Sequence, residues 1–138
     1  MRVSVTGDSN EESGVSAVIY DLAGPIDNHF WSKDYGSGLV GVGVVLMCRD
    51  PHLNFKRRVR FDRKDRWVDL DIMLDLEEMK QLGHETRKAV IVARIVEEVP
   101  AVLRKYGIPE FDEPRFSDDL KLWLIQSGAS RIQQGNKH

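Results

Sequence analysis

Residues 55–75 alternate between apolar and charged positions more regularly than any other part of the chain. A period of two is typical of a half-buried β-strand, and it occurs twice here, in residues 55–61 and again in residues 67–74. The polar sequence Asp62-Arg63-Lys64-Asp65 separates the two runs and is typical of a turn. The pattern therefore predicts a β-hairpin that pairs a basic strand with an acidic one.

A four-residue loop at 62–65 would set the register of this hairpin. It would place Val59 opposite Val68 and Arg58 opposite Asp69, so that basic side chains face acidic ones. A slip of one residue would instead set the apolar side chains against the charged ones. Because exposed ion pairs contribute only about 0.2–1 kcal/mol each, we expect them to specify this pairing more than to stabilise it.

The rest of the first half is predicted to be rich in strands. Residues 1–5 and 15–22 are strand-like and are joined by a connection rich in glycine and acidic residues, so we expect a second hairpin. Residues 23–38 have no clear period and contain many turn-forming residues. We interpret them as a long ordered loop, and loops of that length are uncommon unless they are functional.

Residues 39–48 are predicted to form a central strand. Gly41 and Gly43 share one face and leave room for a close neighbour, which we expect to be a helix. Cys48 is the single cysteine of the chain and lies in this apolar run, where a buried thiol is the ordinary interpretation. A lone cysteine fits a reducing compartment, and no apolar run reaches the roughly 20 residues of a membrane span. We therefore expect a cytoplasmic protein.

The second half of the chain is predicted to be helical. Residues 76–82 form one short helical segment, and residues 84–106 carry apolar residues at spacings of three and four. Gly107 follows where a left-handed helix cap belongs. Pro100 is expected to kink or break the long helix, and a last helix is predicted over residues 114–126.

Strands followed by helices indicate an α+β domain. We expect an antiparallel, meander-like sheet with the C-terminal helices packed on one face. A chain of 138 residues with 41% hydrophobic residues has the size of one ordinary domain. We expect residues 1–127 to form that domain and residues 128–138 to form a polar C-terminal tail.

Charge is uneven along the hairpin, although the formal net charge of the chain is only −2. Residues 56–66 carry a net charge of +5 and residues 69–78 a net charge of −5, so the two segments cancel if they pair. Because a nucleic-acid-binding surface usually keeps its basic residues uncompensated, we favour a self-paired, solvated face. The alternative is a small regulatory or nucleic-acid-binding protein that uses Arg57, Arg58, Arg60 and Arg63.

Candidate catalytic and metal-binding groups are few. The four histidines have no three- or four-residue spacing to each other or to Cys48, and no phosphate-binding loop is present. Asp69, Asp71 and Asp75 resemble the carboxylates of a magnesium site, which leaves a metal-dependent enzyme as a further alternative. A nucleophile-base pair of Cys48 and His84 also stays open, although a cysteine in an apolar strand is seldom reactive. We expect no catalytic, cofactor or metal site and no enzymatic activity.

Residues 27–35 form the first candidate partner-binding segment. Their aromatic residues are bracketed by charges, and Trp and Tyr are enriched in the hot spots of protein interfaces. The residues that we expect to contact a partner are Trp31, Asp34 and Tyr35. In the competing interpretation, Phe30 and Trp31 form a small satellite core at the edge of the sheet.

Residues 110–121 form a second candidate segment, which is acidic. Five acidic and two basic residues give it a net charge of −3. Asp112 and Glu113 are the residues that we expect to reach a partner. This patch either caps the last helix or meets a basic partner.

Three segments together carry a family resemblance. They are FWSKDYGSGLVGVGVVLMCRDP, the charged hairpin, and HETRKAVIVARIVEEVPAVLRKYG. Over residues 30–124 the chain resembles small bacterial immunity proteins that are encoded beside polymorphic or contact-dependent growth-inhibition toxins. The resemblance implies a cytoplasmic antidote that binds one cognate toxin domain and has no reaction of its own. It assigns no contact residues, because such families diversify at the toxin-facing surface.

The mechanism that we expect is stoichiometric occlusion of the toxin's substrate cleft. Aromatic side chains would supply the affinity, and acidic side chains would steer a basic, nuclease-like toxin towards this surface. The expected partner is thus a cognate toxin protein, with neither nucleic acid nor a membrane as a partner.

Overall fold

The computed structural model describes residues 1–7, 13–50, 56–108 and 110–135. Within these ranges, strands and helices follow one another as an α+β fold, which confirms the predicted class. The strands are β1 (Arg2–Gly7), β2 (Gly41–Arg49), β3 (Val59–Asp62) and β4 (Trp67–Asp75). The helices are α1 (Val15–Phe30), α2 (Leu76–Gln81), α3 (His84–Lys105) and α4 (Glu113–Gly135).

The sheet is mixed, so the predicted antiparallel meander is wrong. Its strand order is β1-β2-β4-β3, with β1 and β4 both parallel to β2. Only β3 is antiparallel to its neighbour β4. The physical reason is the connection between β1 and β2, because a helical crossover returns the chain in the same direction.

Helix α1 replaces the second hairpin and half of the long loop that we predicted. Its buried residues recur every three or four positions, which is the stripe of an amphipathic helix. They are Val15, Val18, Leu22, Ile26 and Phe30. Pro25 lies inside this helix at an exposed position and does not end it. Burial of the stripe outweighs both the β-branched residues and the proline that favoured a strand and a loop.

The predicted β3–β4 hairpin is confirmed, with a register shifted by two residues. Arg60 pairs with Asp69 and Phe61 with Val68, so each side chain keeps its predicted face. The loop is residues 63–66 instead of 62–65, because Asp62 belongs to the strand and its Oδ1 accepts a 3.0 Å hydrogen bond from the Asp65 amide. The predicted basic strand begins at residue 55, whereas β3 begins at Val59 and the described residues 56–58 are not part of it. Residues 51–55 lie outside the described residues.

The helices of the second half agree with the sequence pattern in position. Gly107 has the left-handed φ of 68° that its place after α3 predicted. Pro100 does not break α3, which continues to Lys105. Helix α4 runs to Gly135, beyond the predicted end at residue 126. No helix within the described ranges is long and apolar enough to span a membrane.

One hydrophobic core covers one face of the sheet. The alternate residues of β2 and β4 that point into it are at most 4% exposed: Val42, Val44, Leu46, Cys48, Val68, Leu70, Ile72 and Leu74. Helices α1 and α3 supply most of the other core side chains, and Phe116 and Leu120 of α4 are fully buried in the same core. This arrangement fixes the start of α4 and the end of α1 close to one another, as the contact between Phe30 and Phe116 shows (ring centroids 5.4 Å apart).

Gly41 and Gly43 face away from this core, and side chains of the neighbouring strands lie over them. A Cβ at Gly41 would overlap the Trp67 ring and the Arg2 Cβ, and a Cβ at Gly43 would overlap Asp69 Oδ1. The helix that we predicted over these glycines is therefore wrong. The close neighbours come from β1 and β4.

Candidate partner-binding surface

Tyr35 fixes the loop that follows α1. Its side chain is only 1% exposed, and its ring lies 5.6–5.9 Å from those of Phe30, Phe111 and Phe116. Its hydroxyl donates a 2.6 Å hydrogen bond to Asp119 Oδ2. Burial, with the Asp119 carboxylate beside it, raises the pKa of Tyr35. Tyr35 therefore supports the predicted contact segment from beneath and adds little side-chain surface of its own.

The second acidic segment packs directly on this loop. The Asp112 amide donates to the Tyr35 carbonyl (2.8 Å), and Arg115 Nη1 donates to the Asp34 carbonyl (3.0 Å). The Arg115 guanidinium also lies 5.3 Å from the centroid of the Tyr35 ring. The two segments that the sequence singled out separately thus form one continuous surface.

The three acidic residues that we expected to contact a partner also have local structural roles. Asp34 Oδ1 accepts a 2.8 Å bond from the Gly36 amide, and Asp112 Oδ1 accepts a 3.2 Å bond from the Arg115 amide near the start of α4. Both carboxylates stay exposed to solvent. Glu113 is half-buried and binds Arg104 Nη1 with both oxygens (2.6 and 2.7 Å). Glu110 and Asp118 are exposed as well. The exposed negative charge here therefore comes from Asp34, Glu110, Asp112 and Asp118.

Trp31 is the exposed aromatic residue of this surface. It is 60% exposed, whereas Phe30 is fully buried, so the satellite-core interpretation holds for Phe30 and not for Trp31. The Arg2 guanidinium lies 5.0 Å from a Trp31 ring centroid and 5.9 Å from one of Trp67. Arg2 also donates a 3.0 Å bond to Asp27 of α1, so an ion pair and a cation–π contact together hold Arg2 over the Trp31 ring.

Arg2, Trp67 and Arg115 were missed by the sequence interpretation. Arg2 and Trp67 come from β1 and β4 and share a row with Gly41 of the intervening strand. These three residues lie in one row because β1, β2 and β4 are parallel. The antiparallel sheet that we predicted would not have aligned them. The only sequence signal was Gly41 itself, because a glycine within a strand often marks a close approach by a neighbour.

His29 lies beside this surface and stays uncharged at neutral pH. Its pKa is lowered by burial and by the nearby Lys33 ammonium. Lys33 in turn lies 3.9 Å from Asp119 Oδ2. The charge of the surface at neutral pH is therefore set by its carboxylates, lysine and arginines.

Residues 1–126 match the protein family described as Immunity protein 44. The chain belongs to this family. The predicted resemblance to small bacterial immunity proteins is thereby confirmed. No curated protein and no solved structure gives a significant match to the chain.

In this Immunity protein 44 chain, three of the arginines that favoured a nucleic-acid-binding surface are paired with acidic residues. Arg57 binds Glu98 (2.5 Å), Arg58 binds Asp71 (3.2 Å) and Arg60 lies 3.7 Å from Asp62. Basic side chains thus do pair with acidic ones, as expected from the sequence, but all three acidic partners differ from the predicted ones. Three of the four arginines are therefore paired with carboxylates within the part of the chain that the structure describes.

The three aspartates that resembled a magnesium site have separate structural roles. Asp71 is buried and accepts bonds from the backbone amide and Nε of Arg58 (3.1 and 3.2 Å). Asp69 accepts a 2.8 Å bond from Trp67 Nε1, and Asp75 caps α2 through the amide of Glu77 (2.9 Å). Within the described ranges, no group of three or more His, Cys, Asp or Glu side chains is arranged to hold a metal ion.

Cys48 and His84 do not pair with each other in the described structure. Burial raises the pKa of the Cys48 thiol, which keeps it in the unreactive protonated form at neutral pH. His84 Nε2 lies 2.6 Å from Asp21 Oδ2, which links the start of α3 to α1. Both residues thus have positions that serve the packing of the fold.

Proposed function

We propose that this chain binds one cognate toxin domain and blocks it by stoichiometric occlusion, without a reaction of its own. Membership of an immunity protein family supports the general role. The observation that carries the more specific proposal is the exposed Trp31 on a loop whose backbone is fixed by Tyr35, Arg115 and Asp112. We further propose that it acts in the cytoplasm, against a toxin of the polymorphic or contact-dependent growth-inhibition type.

The rigidity of the loop supports tight binding. Ordering a flexible loop on binding costs free energy, and a loop already held in place avoids most of that cost. Here the Tyr35 hydroxyl, the Asp112 amide and the Arg115 guanidinium each make a hydrogen bond that holds the loop. A large aromatic side chain presented by such a loop is typical of a binding hot spot.

The charge of the surface supports a basic partner. Residues 110–121 carry a net charge of −3, and Asp34 adds an exposed carboxylate beside them. Complementary charge raises the rate of association and disfavours wrong partners more than it adds affinity. A nuclease domain, which must itself bind a polyanion, has the basic surface that such a patch would attract.

Co-expression with the toxin encoded by the neighbouring reading frame tests this proposal. Cells that express the toxin domain with this chain should grow, whereas cells that express the toxin domain alone should not. The two proteins should co-purify in a ratio of one to one. Continued toxicity without a complex would contradict the proposed function, as would rescue by a chain that degrades or modifies the toxin instead of remaining bound to it.

A further inference from the structure

A cleft lies between the start of β3 and the last turns of α3. Its volume is about 570 Å³, and it shares no lining residue with the Trp31 surface. Its apolar wall includes Val59, Val102 and the Tyr106 ring. The Tyr106 hydroxyl donates to the Val59 carbonyl (3.3 Å), so this wall is held across the two elements.

Basic side chains dominate the charge of this cleft. Lys56, Arg57 and Lys105 line it, against Glu98 as the single lining carboxylate. Glu98 already accepts bonds from two arginines, Arg57 (2.5 Å) and Arg94 (3.1 Å). Lys56 and Lys105 are exposed, and neither forms an ion pair with another residue that the structure describes. The cleft therefore has an excess of two positive charges among its lining residues.

Arg57 has an unused donor. Its Nη1 bonds to Glu98, whereas its Nε is shielded from solvent and has no hydrogen-bond acceptor in the described structure. Such unsatisfied donors are rare in native proteins and often mark the place of a water or an ion.

We propose that this cleft binds a small multivalent anion of about nucleotide size. Its volume falls in the range of about 300–1,000 Å³ that is usual for small-molecule sites. Arginine and lysine together hold phosphate or carboxylate oxygens through charge-assisted hydrogen bonds. The apolar wall offers a surface for the body of the ligand. This site is independent of the proposed toxin contact, because the two share no residue.

Calorimetric titration of the full chain with three probes tests the proposal. The probes are ATP, inorganic tripolyphosphate and citrate, each in about 0.1 M salt so that long-range attraction is screened. At least one probe should bind at a single site. Binding of ATP or tripolyphosphate without citrate would identify a phosphate ligand, and binding of citrate would identify a carboxylate ligand. The absence of measurable binding by all three at millimolar concentration would overturn the proposal.

Two double variants separate a defined site from general attraction to positive charge. Lys56→Ala with Lys105→Ala removes two exposed cations of the cleft, and Arg63→Ala with Lys64→Ala removes two exposed cations of the hairpin loop. We expect the first pair to weaken binding about tenfold or more, because each charge-assisted contact is worth about that factor. The second pair should change affinity by less than about twofold. An equal loss of affinity in both double variants, or no loss of affinity in the Lys56→Ala, Lys105→Ala variant, would overturn the proposed site.

Discussion

The Tyr35 hydroxyl donates a 2.6 Å hydrogen bond to Asp119, and this bond ties the loop after α1 to helix α4. The two residues are 84 positions apart in the chain. The bond lies beneath the surface on which Trp31, Asp34 and Asp112 are exposed. The shape of the proposed toxin-binding surface thus depends on a partly buried contact between two distant parts of the chain.

Replacing Tyr35 with phenylalanine should destabilise the protein. The Tyr35→Phe change keeps the ring in its aromatic cluster but leaves Asp119 without its hydroxyl donor. We expect the free energy of unfolding in urea to fall by about 1.5–3 kcal/mol, the range for hydrogen bonds to charged groups. Tyr20→Phe is the matched control, because Tyr20 is 87% exposed, and it should leave the stability unchanged.

The same tyrosine should make stability depend on pH in the alkaline range. The raised pKa of Tyr35 means that the folded chain keeps the proton after an unfolded chain, with its ordinary value of 10.0, has lost it. The contribution of this raised pKa to the free energy of unfolding is therefore complete below about pH 10 and is lost as the pH rises further. Between about pH 9 and pH 11, stability should fall more steeply for the wild type than for Tyr35→Phe. If stability fell in parallel with pH for the wild type and for Tyr35→Phe, the pKa of Tyr35 would not be raised in the folded chain.

Truncation of Trp31 should weaken toxin binding while sparing the fold. Truncating a hot-spot aromatic residue typically costs about 2 kcal/mol or more of binding free energy. Trp31→Ala should therefore raise the dissociation constant of the toxin complex about 30-fold. Because Trp31 is 60% exposed, the unfolding free energy should change by no more than about 0.5 kcal/mol. Tyr20→Ala removes an exposed aromatic residue within α1 and serves as the control. Calorimetric titration of each variant with the toxin domain measures the dissociation constants.

Neutralising two acidic residues should slow association with the toxin. Asp34→Asn with Asp112→Asn removes two negative charges, while each amide oxygen can still accept the bond from Gly36 or Arg115. We expect the association rate at low salt to fall several-fold, and the difference from the wild type to vanish at high salt. Asp65→Asn with Glu78→Gln removes two exposed charges elsewhere. If this control slowed binding equally, the effect would come from net charge and not from the proposed surface.

Two glycines that precede helices should respond in opposite ways to serine. Gly83 precedes α3 with an extended backbone (φ −75°, ψ 166°) and open space around its Cα, so Gly83→Ser should add a cap and stabilise by about 0.5–1 kcal/mol. Gly14 precedes α1 with φ 71°, and a side chain there would meet the Arg87 guanidinium. Gly14→Ser should destabilise by about 1–2 kcal/mol. Thermal or urea unfolding of both variants measures the contrast.

The sequence pattern predicted the fold best where burial and local propensity agree. The β3–β4 hairpin and helix α3 have regular periods, and both occur near their predicted positions. The pattern failed for α1, whose residues 15–22 contain valine and isoleucine and are followed by Gly24-Pro25. Those residues favour a strand and a turn locally. The helix forms because its five apolar positions all reach the core, which the local sequence does not reveal.

The candidate surface was predicted in pieces. Trp31 and the acidic residues were recognised from composition, because aromatic residues flanked by charges and a local excess of acidic residues are visible in a sequence. The exposure of Trp31 was not predictable in this way, because burial depends on the fold. That these residues form one surface was not predicted, because it depends on the partly buried Tyr35–Asp119 bond and on the packing of the start of α4 against the end of α1. Arg2 joins Trp31 only through parallel pairing of β1, β2 and β4. Such long-range contacts leave no period in the chain.

Hydrogen–deuterium exchange of the chain, alone and with its cognate toxin domain, tests the central claim most directly. If the toxin covers the proposed surface, exchange should slow in peptides that span residues 30–38 and 110–116 and stay unchanged in the hairpin over residues 59–75. Protection confined to the hairpin, or protection that avoids both segments of the Trp31 surface, would contradict the account.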